Sequence, residues 1–413
     1  MPRIDPDRLL SDLRTLRGIG AQGRGVVRPA FSAADMQARR WLARRYQEAG
    51  LEATIDGVGN VLGRSPKPGR ALLIGSHSDT QPTGGWLDGA LGVICALEVV
   101  RALAADDATR RLAVDAVSFQ DEESRFIGCL GSRSLVGALT PEMEHGAVDR
   151  DGVTLADAVR EAGLADTPRA QLARERYAGF LEAHIEQGPH LEDAGNRIGV
   201  VSGIVGLRGL RFVFRGQQNH AGTTMMARRR DAAGALYELA YRINQEFPRA
   251  AAERSVWTMG RARIEPNATS IVPGYAELDL QFRDASETPL DAFEAIAMRL
   301  VAEINARGGV SIEATPARAP IPPTLMDRGF QEHIAAAAAR HAPGKWQRMP
   351  SGAFHDAGIV AARIPSAMLF IPSIGGISHD FAEDSRDQDI VLGCQVLADA
   401  AASILVEANA RGR

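Results

Sequence analysis

The chain predicts an α/β protein: a larger domain with a mixed sheet flanked by helices, and a smaller α/β domain inserted into it. Three observations carry this. Short apolar runs of strand length, such as Ala71-Leu72-Leu73-Ile74-Gly75, alternate with longer segments of helical period. Polar and charged residues gather directly after those runs, where ligands bind beyond the carboxyl ends of parallel strands. In the middle of the chain, strand candidates alternate apolar and polar side chains, as half-exposed antiparallel strands do.

Residues 34–49 follow Ser32, set Met36, Leu42 and Tyr46 among arginines and stop at Gly50, a surface-helix pattern. Residues 71–75 read as a buried parallel strand ending in Ser76 and His77. Residues 89–104 read as a helix, with Leu91, Ile94, Leu97 and Val100 recurring at three-residue steps. Residues 114–119 form a second strand candidate that runs into Gln120, Asp121, Glu122 and Glu123. Residues 369–371 form a third, ending in a glycine-containing loop. Period-two alternation at 210–216 and 276–283, with helical stretches near 231–246 and 288–306, marks the inserted domain at 208–322. Pro320, Pro322 and Pro323 make a return linker, which leaves 1–207 and 323–413 to the larger domain. No internal repeat or low-complexity tract interrupts this plan.

The 413 residues suit two or three domains. With 47 basic and 51 acidic side chains, the net charge of -4 speaks against a nucleic-acid partner, and the short run Arg228, Arg229, Arg230 does not change that. No apolar run reaches the ~18 residues that span a bilayer, so no membrane partner is expected. The first residues carry Arg3, Asp5 and Asp7 where a signal peptide needs an apolar stretch. Three cysteines lack the spacing of a disulfide framework or a metal finger; Cys95 and Cys394, among apolar neighbours, read as buried. A soluble cytoplasmic protein is the expectation.

Four segments carry chemistry. Residues 75–89 place His77, Asp79 and Asp88 in a Gly-rich loop, a donor set suited to Zn²⁺ or a neighbouring first-row ion, although one such loop is equally an ordinary turn. Asp121, Glu122 and Glu123 crowd like charges that a cation would keep ionised, or else form a solvated cluster. His184 and His379 sit in two further loops, each with carboxylates nearby.

Together these motifs resemble the hydantoinase/carbamoylase-type amidases, a branch of the dinuclear metallopeptidase superfamily that includes N-carbamoyl-L-amino acid hydrolases and allantoate amidohydrolases. The likeness runs in order through GSHSDT (75–80), GGWLDGALGV (84–93), QDEESRF (120–126), HIEQGP (184–189), NHAGTT (219–224), PNATSIVPG (266–274) and GISH (376–379). It implies a two-metal centre in which Asp88 bridges both ions, His77 and His184 complete one site, and Glu123 and His379 the other. Glu122 becomes the general base and Asp79 orients His77. His220, in the inserted domain, becomes the donor to the developing oxyanion, from its own or a partner subunit. Gln187, Asn267, Arg283, Gly375 and Gly376 become substrate contacts. Arg283 equally suits a surface acid such as Asp284, and the glycines equally suit a tight turn.

The resemblance further implies two divalent ions (Zn, Mn, Co or Ni), a homodimer formed through the inserted domain, and a small carboxylated amide substrate. The leading candidate is an N-carbamoyl-L-amino acid, with allantoate or another ureido acid, a peptide, and a metal-dead scaffold as alternatives. One position departs from the family pattern: Phe354 stands where glycine is common before His355 and Asp356, which adds bulk to a loop that can border the pocket.

Overall fold

The computed structural model describes residues 1–411. Two compact units divide the described residues: one of residues 1–202, 325–349 and 353–411, the other of residues 203–324 with 350–352.

The first unit holds a large mixed sheet, and the α/β class read from the sequence holds. Its central strands lie in the order Ser366–Ile371, Tyr177–Ile185, Ala71–His77 and Ala113–Phe119, all parallel. Antiparallel strands follow on both sides: Ile198–Ile204 beside Ser366–Ile371, and Val61–Arg64 then Glu52–Ile55 beyond Ala113–Phe119. Every residue of the four parallel strands is buried, because helices cover both faces. The strand expected at 71–75 therefore continues through Ser76 and His77, so that a histidine ends a fully buried strand.

Helix Ala90–Ala105 follows the Gly-rich loop that ends at Gly89 and is apolar almost all round. Glu98, its buried acid, is met by Arg8 at 2.7 Å. Helix Ala33–Glu48 starts where Ser32 accepts the Asp35 N–H, the cap expected of that serine. Helix Asp387–Arg411 is long and apolar enough to cross a membrane, yet 78% of its apolar stretch is buried, packed on helices Ala90–Ala105 and Arg328–His341 and on the central strands. It is a core helix.

The second unit is a four-stranded antiparallel sheet in the order Val256–Glu265, Tyr275–Asp284, Gly206–Arg215, Ser311–Pro316. Alternation works as period two requires: Ala276, Leu278, Leu280 and Phe282 are buried, while Glu277, Asp279, Gln281 and Arg283 face outward. Helices Ala232–Glu246 and Glu287–Ala306 cover the inner face around Phe212, Phe214, Phe247, Phe282 and Phe293. Phe247 and Phe293 stack at 4.4 Å. Each buried ring contributes roughly 1.5–3 kcal/mol of transfer free energy.

Candidate metal centre

The four parallel strands point one way, and their carboxyl ends deliver the polar residues to one place. His77 ends Ala71–His77, residues 120–123 follow Ala113–Phe119, His184 precedes the end of Tyr177–Ile185, and residues 373–379 follow Ser366–Ile371. Two glycines make the crowding possible. A side chain at Gly75 would meet the Val117 carbonyl at 2.0 Å, and one at Gly89 (φ +65°) would meet the His77 ring at 2.4 Å.

Asp88 lies at the centre. Its Oδ1 is 3.2 Å from His184 Nε2 and 3.6 Å from His77 Nε2. Its Oδ2 is 3.3 Å from His379 Nε2 and accepts from Gln187 Nε2 at 3.1 Å. Glu123 Oε2 stands 3.7 Å from the same His379 nitrogen. Two sets of candidate ligands result, His77–Asp88–His184 and Asp88–Glu123–His379, each with its donor atoms within 4.8 Å of one another. One carboxylate thus offers a separate oxygen to each set.

The histidines are oriented for this. His77 Nδ1 faces the Asp79 carbonyl at 3.1 Å and His184 Nδ1 the Ile185 carbonyl at 2.9 Å. Each contact anchors the ring through Nδ1 and turns Nε2 toward Asp88, where it donates to the carboxylate when protonated and can ligate a cation in place of that proton. The Gly89 N–H approaches His184 Nε2 at 3.2 Å. The Asp79 carboxylate accepts the backbone N–H groups of Glu122 (3.4 Å) and Glu123 (3.2 Å) and lies 3.7 Å from His77 Nδ1, so the side chain sets the two acids while the Asp79 backbone carbonyl holds the imidazole. Asp121 turns away, accepting from the N–H groups of Arg125, Phe126 and Ile127, and shapes the turn.

The electrostatics of the cluster suit a cation. Burial together with the Asp88 carboxylate pushes Glu123 up to about 8. Its Oε1 is buried with no hydrogen-bond partner among the described residues. Against the penalty of burial, the Glu122, Asp88 and Asp79 carboxylates hold His77 well above the usual imidazole range. The hydrogen bond to Asp88 lifts His379 to about 9. Burial opposes ionisation of Asp88, but the three histidines hold it well below the carboxylate range. Excess negative charge, a carboxylate oxygen without a donor and two Nε2 atoms turned toward Asp88 fit divalent cations, and imidazole and carboxylate without thiolate suit Zn²⁺, Mn²⁺, Co²⁺ or Ni²⁺.

Glu122 is largely buried beside this cluster, with Oε2 3.7 Å from His77 Nε2 and Oε1 3.7 Å from the Cys129 sulfur. Burial and then Glu123, Asp356 and Asp88 raise its proton affinity well above that of an ordinary carboxylate.

Several expected substrate contacts have other partners. The Gln187 amide N–H groups are engaged by Asp88 Oδ2 and Ser378 Oγ, so Gln187 holds the second ligand set. The Gly375 N–H donates to Glu192 at 2.7 Å and the Gly376 N–H to the Ser373 carbonyl at 3.1 Å, a tight turn with its donors committed.

His220, Asn267 and Arg283 belong to the second unit. His220 Nδ1 accepts from the Gly222 and Thr223 N–H groups at 3.0 and 3.2 Å, which places the neutral ring's proton on Nε2 as a donor. Arg229 shapes that loop by donating to the Thr224 and Ala221 carbonyls. Asn267, exposed, follows the strand whose Glu265 pairs with Tyr275. Arg283 lies eight residues further along the partner strand, roughly 27 Å away at ~3.4 Å per residue. The sequence grouped Asn267 and Arg283 as holders of one small substrate; within one chain the strand keeps them apart. Asp284 is buried and bonded to Ser255 Oγ and the Ser286 N–H, so it is not the partner of Arg283.

Residues that sequence reasoning passed over complete the centre. Gln81 donates to Glu123 Oε2 at 2.7 Å. Glu383 accepts the Leu87 and Asp88 N–H groups and the Ser378 hydroxyl, tying the loops of Asp88 and His379 together. Glu182 accepts the Ser76 hydroxyl at 2.6 Å, and His355 packs edge-on against His184 at 4.6 Å. The acid three residues before the strand end and the acid four residues after His379 were the available signals.

Comparison with known proteins gives a consistent neighbourhood. Residues 73–403 match the model of peptidase family M20/M25/M40. An N-carbamoyl-L-amino acid amidohydrolase of Geobacillus stearothermophilus is 34% identical over 95% of this chain and 97% of its own. An allantoate amidohydrolase of Bacillus subtilis (strain 168) is 32% identical over 92% of this chain and 93% of its own. The crystal structure of a hydantoinase/carbamoylase-family amidase from Burkholderia phymatum is 52% identical, covers 99% of both chains and superposes with a TM-score of 0.94.

Proposed function

The chain belongs to peptidase family M20/M25/M40, among its hydantoinase/carbamoylase amidases, and from that premise we propose that it hydrolyses N-carbamoyl-L-amino acids to the amino acid, ammonia and carbon dioxide. It is a hydrolase of linear amides. The observation that carries the reading is Asp88, whose two oxygens each face a separate set of ligands beside the buried Glu122 carboxylate.

His77, Asp88 and His184 would hold one cation, and Asp88, Glu123 and His379 the other. Bound there, divalent ions polarise the scissile carbonyl and acidify the attacking water. Glu122 takes the proton of that water and delivers it to the leaving nitrogen, a role suited to a carboxylate whose proton affinity its surroundings raise. Gln187 and Gln81 hold Asp88, His379 and Glu123 in place. The Nε2 proton of His220 stabilises the oxyanion. Arg283 receives the substrate's acid group through the paired N–H bonds of a guanidinium. The separation of Asn267 from Arg283 supports a homodimer in which His220 and Asn267 serve the partner's substrate.

A panel of N-carbamoyl amino acids, allantoate, ureidoglycolate and dipeptides, with ammonia and free amino acid measured, tests this. Carbamoyl substrates should release both. Turnover of allantoate or dipeptides alone would overturn the substrate assignment.

A further inference from the structure

The arginines on the outward face of the four-stranded sheet divide into two groups. Toward its Tyr275 end three of them are matched by acids, and a fourth, Arg215, lies over the Tyr275 ring at 5.5 Å. Arg211 meets Asp279 at 2.7 and 2.9 Å, Arg261 meets Asp279 at 3.2 Å, and Arg263 pairs with Glu265 and Glu277. The Arg283 end has no such match. Arg283 Nη1 donates to the Gly352 carbonyl at 3.1 Å. Its Nε and Nη2 meet the Gln281 amide oxygen at 3.3 and 3.2 Å in the amide orientation that satisfies both groups. Neutral oxygens therefore fix the plane of this guanidinium and leave its charge uncompensated.

A second arginine comes beside it. The Ala317 N–H donates to the Gly209 carbonyl, and Ile321 exchanges two backbone bonds with Leu207. Four steps of chain thus stand against two, and the segment bulges between them. Gly209 presents no side chain to the outward face, and Arg318 Cγ lies 3.6 Å from where its Cβ would be. Gly209 and Leu207 are the register partners of Gln281 and Arg283, so the Arg318 Cγ lies over the outward face at Gly209, one same-face register pair from Arg283. Arg318 is exposed, and among the described residues no ion pair holds it. Burial, followed by the charge of Arg318, lowers the Arg283 guanidinium from its usual value.

We propose that Arg283 and Arg318 together form a two-guanidinium anion site, and that the preferred substrate is an N-carbamoyl derivative of a dicarboxylic amino acid. One guanidinium takes the acid group next to the scissile amide and the other the acid of the side chain. This rests on the reading of Arg283 as the holder of the substrate's acid group. The charge of Arg318 acts on Arg283; a monoanion neutralises one of the two guanidiniums and leaves the other without a counter-charge, whereas a dianion neutralises both. Arg318, unlike Arg283, has a flexible and exposed stem, so it contributes selectivity more than orientation.

The test compares kcat/KM of the metal-loaded enzyme for N-carbamoyl-aspartate and N-carbamoyl-glutamate with the isosteric N-carbamoyl-asparagine and N-carbamoyl-glutamine. The acid-to-amide ratio should be about tenfold or more in the wild type, in line with charge-assisted bonding. It should fall toward one in Arg318→Ala and recover in part in Arg318→Lys, with the change mainly in KM. A wild-type ratio near one, or a ratio unmoved in Arg318→Ala, would overturn the proposal. Calorimetric binding of succinate against propionate gives a readout that needs no turnover. Tighter succinate binding that disappears in Arg318→Ala supports the anion site even if no carbamoyl amino acid is hydrolysed, in which case the assigned reaction fails instead. Equal binding of the two acids in the wild type overturns the anion site whatever the enzyme hydrolyses.

Discussion

Replacing Glu122 with glutamine separates chemistry from architecture at this centre. The backbone of Glu122 is held independently of its carboxylate: its N–H faces Asp79 Oδ1 at 3.4 Å and its carbonyl accepts the Cys129 N–H at 3.2 Å. The carboxylate itself touches the Cys129 thiol and the His77 ring only at 3.7 Å, so no short bond is lost when an amide of the same shape takes its place. Removing one of four neighbouring acids also relieves repulsion with Glu123, Asp356 and Asp88. The thermal midpoint should therefore hold or rise. What the amide cannot do is accept a proton from water. General-base catalysis contributes about 10²–10⁴-fold, or roughly 2.7–5.4 kcal/mol of barrier at 1.36 kcal/mol per tenfold. The loss should lie in kcat, with KM moving by less than about threefold, because substrate contacts are untouched. Steady-state kinetics, elemental analysis of metal and a melting curve, all on one preparation, provide the assay. Normal turnover at full metal content would remove Glu122 from the mechanism, and metal lost in step with activity would reassign it as a ligand.

Four other outcomes are expected. Asp88→Ala should empty both ion sites together while His379→Ala first weakens one, measured as metal per chain; two fully bound ions in the Asp88 variant would contradict the bridge. Gln187→Ala should weaken metal binding by about 10–100-fold, the usual effect of losing a partner that orients a ligand, read as the chelator concentration that strips the ion. Arg283→Ala should lower kcat/KM for the acid substrate by roughly ten- to a hundredfold and remove the distinction between acid and methyl ester; an equal effect of esterification in both proteins would show that Arg283 is not the acid's partner. Phe293→Ala, which empties the ring stack of the second unit, should cost about 3–5 kcal/mol in denaturant unfolding, and a loss below about 1 kcal/mol would mean that the stack contributes little.

Two of the parallel strands were legible because buried strands are short and mostly apolar, as 71–75 and 114–119 are in the sequence. Alternation revealed Tyr275–Asp284 for the opposite reason, since one of its faces meets water. Strand Tyr177–Ile185 was not legible as a strand, because Glu182 and His184 interrupt its apolar run; they are tolerated there only because Ser76, the Ala357 N–H and Asp88 satisfy them. Helix Asp387–Arg411 passed without notice because a helix buried on most sides has no polar stripe to give it a period. At the candidate centre, residue types and motif order pointed to His77, Asp88, Glu123, His184 and His379, which the structure gathers. The second ring of contacts was hidden, because Gln81, Glu182 and Glu383 acquire meaning only through neighbours distant in sequence. The distance between Asn267 and Arg283 was hidden for a related reason: spacing in sequence says nothing of the length of the strand between them.

The sheet of the first unit carries a consequence for synthesis. Strand Ser366–Ile371 lies between Tyr177–Ile185 and Ile198–Ile204, and helix Asp387–Arg411 covers the strands beside it. A ribosome therefore finishes the second unit while the first still has an open seam, with an unpaired strand edge and uncovered apolar faces awaiting residues made more than 160 positions after Tyr177–Ile185. At about 5–20 residues per second, that wait lasts on the order of ten seconds to half a minute. His379 emerges after the seam strand, so the full ligand set exists only in a chain that is nearly complete. The nascent protein is exposed to unwanted strand pairing through that wait, and its candidate metal centre can assemble only near the end of synthesis.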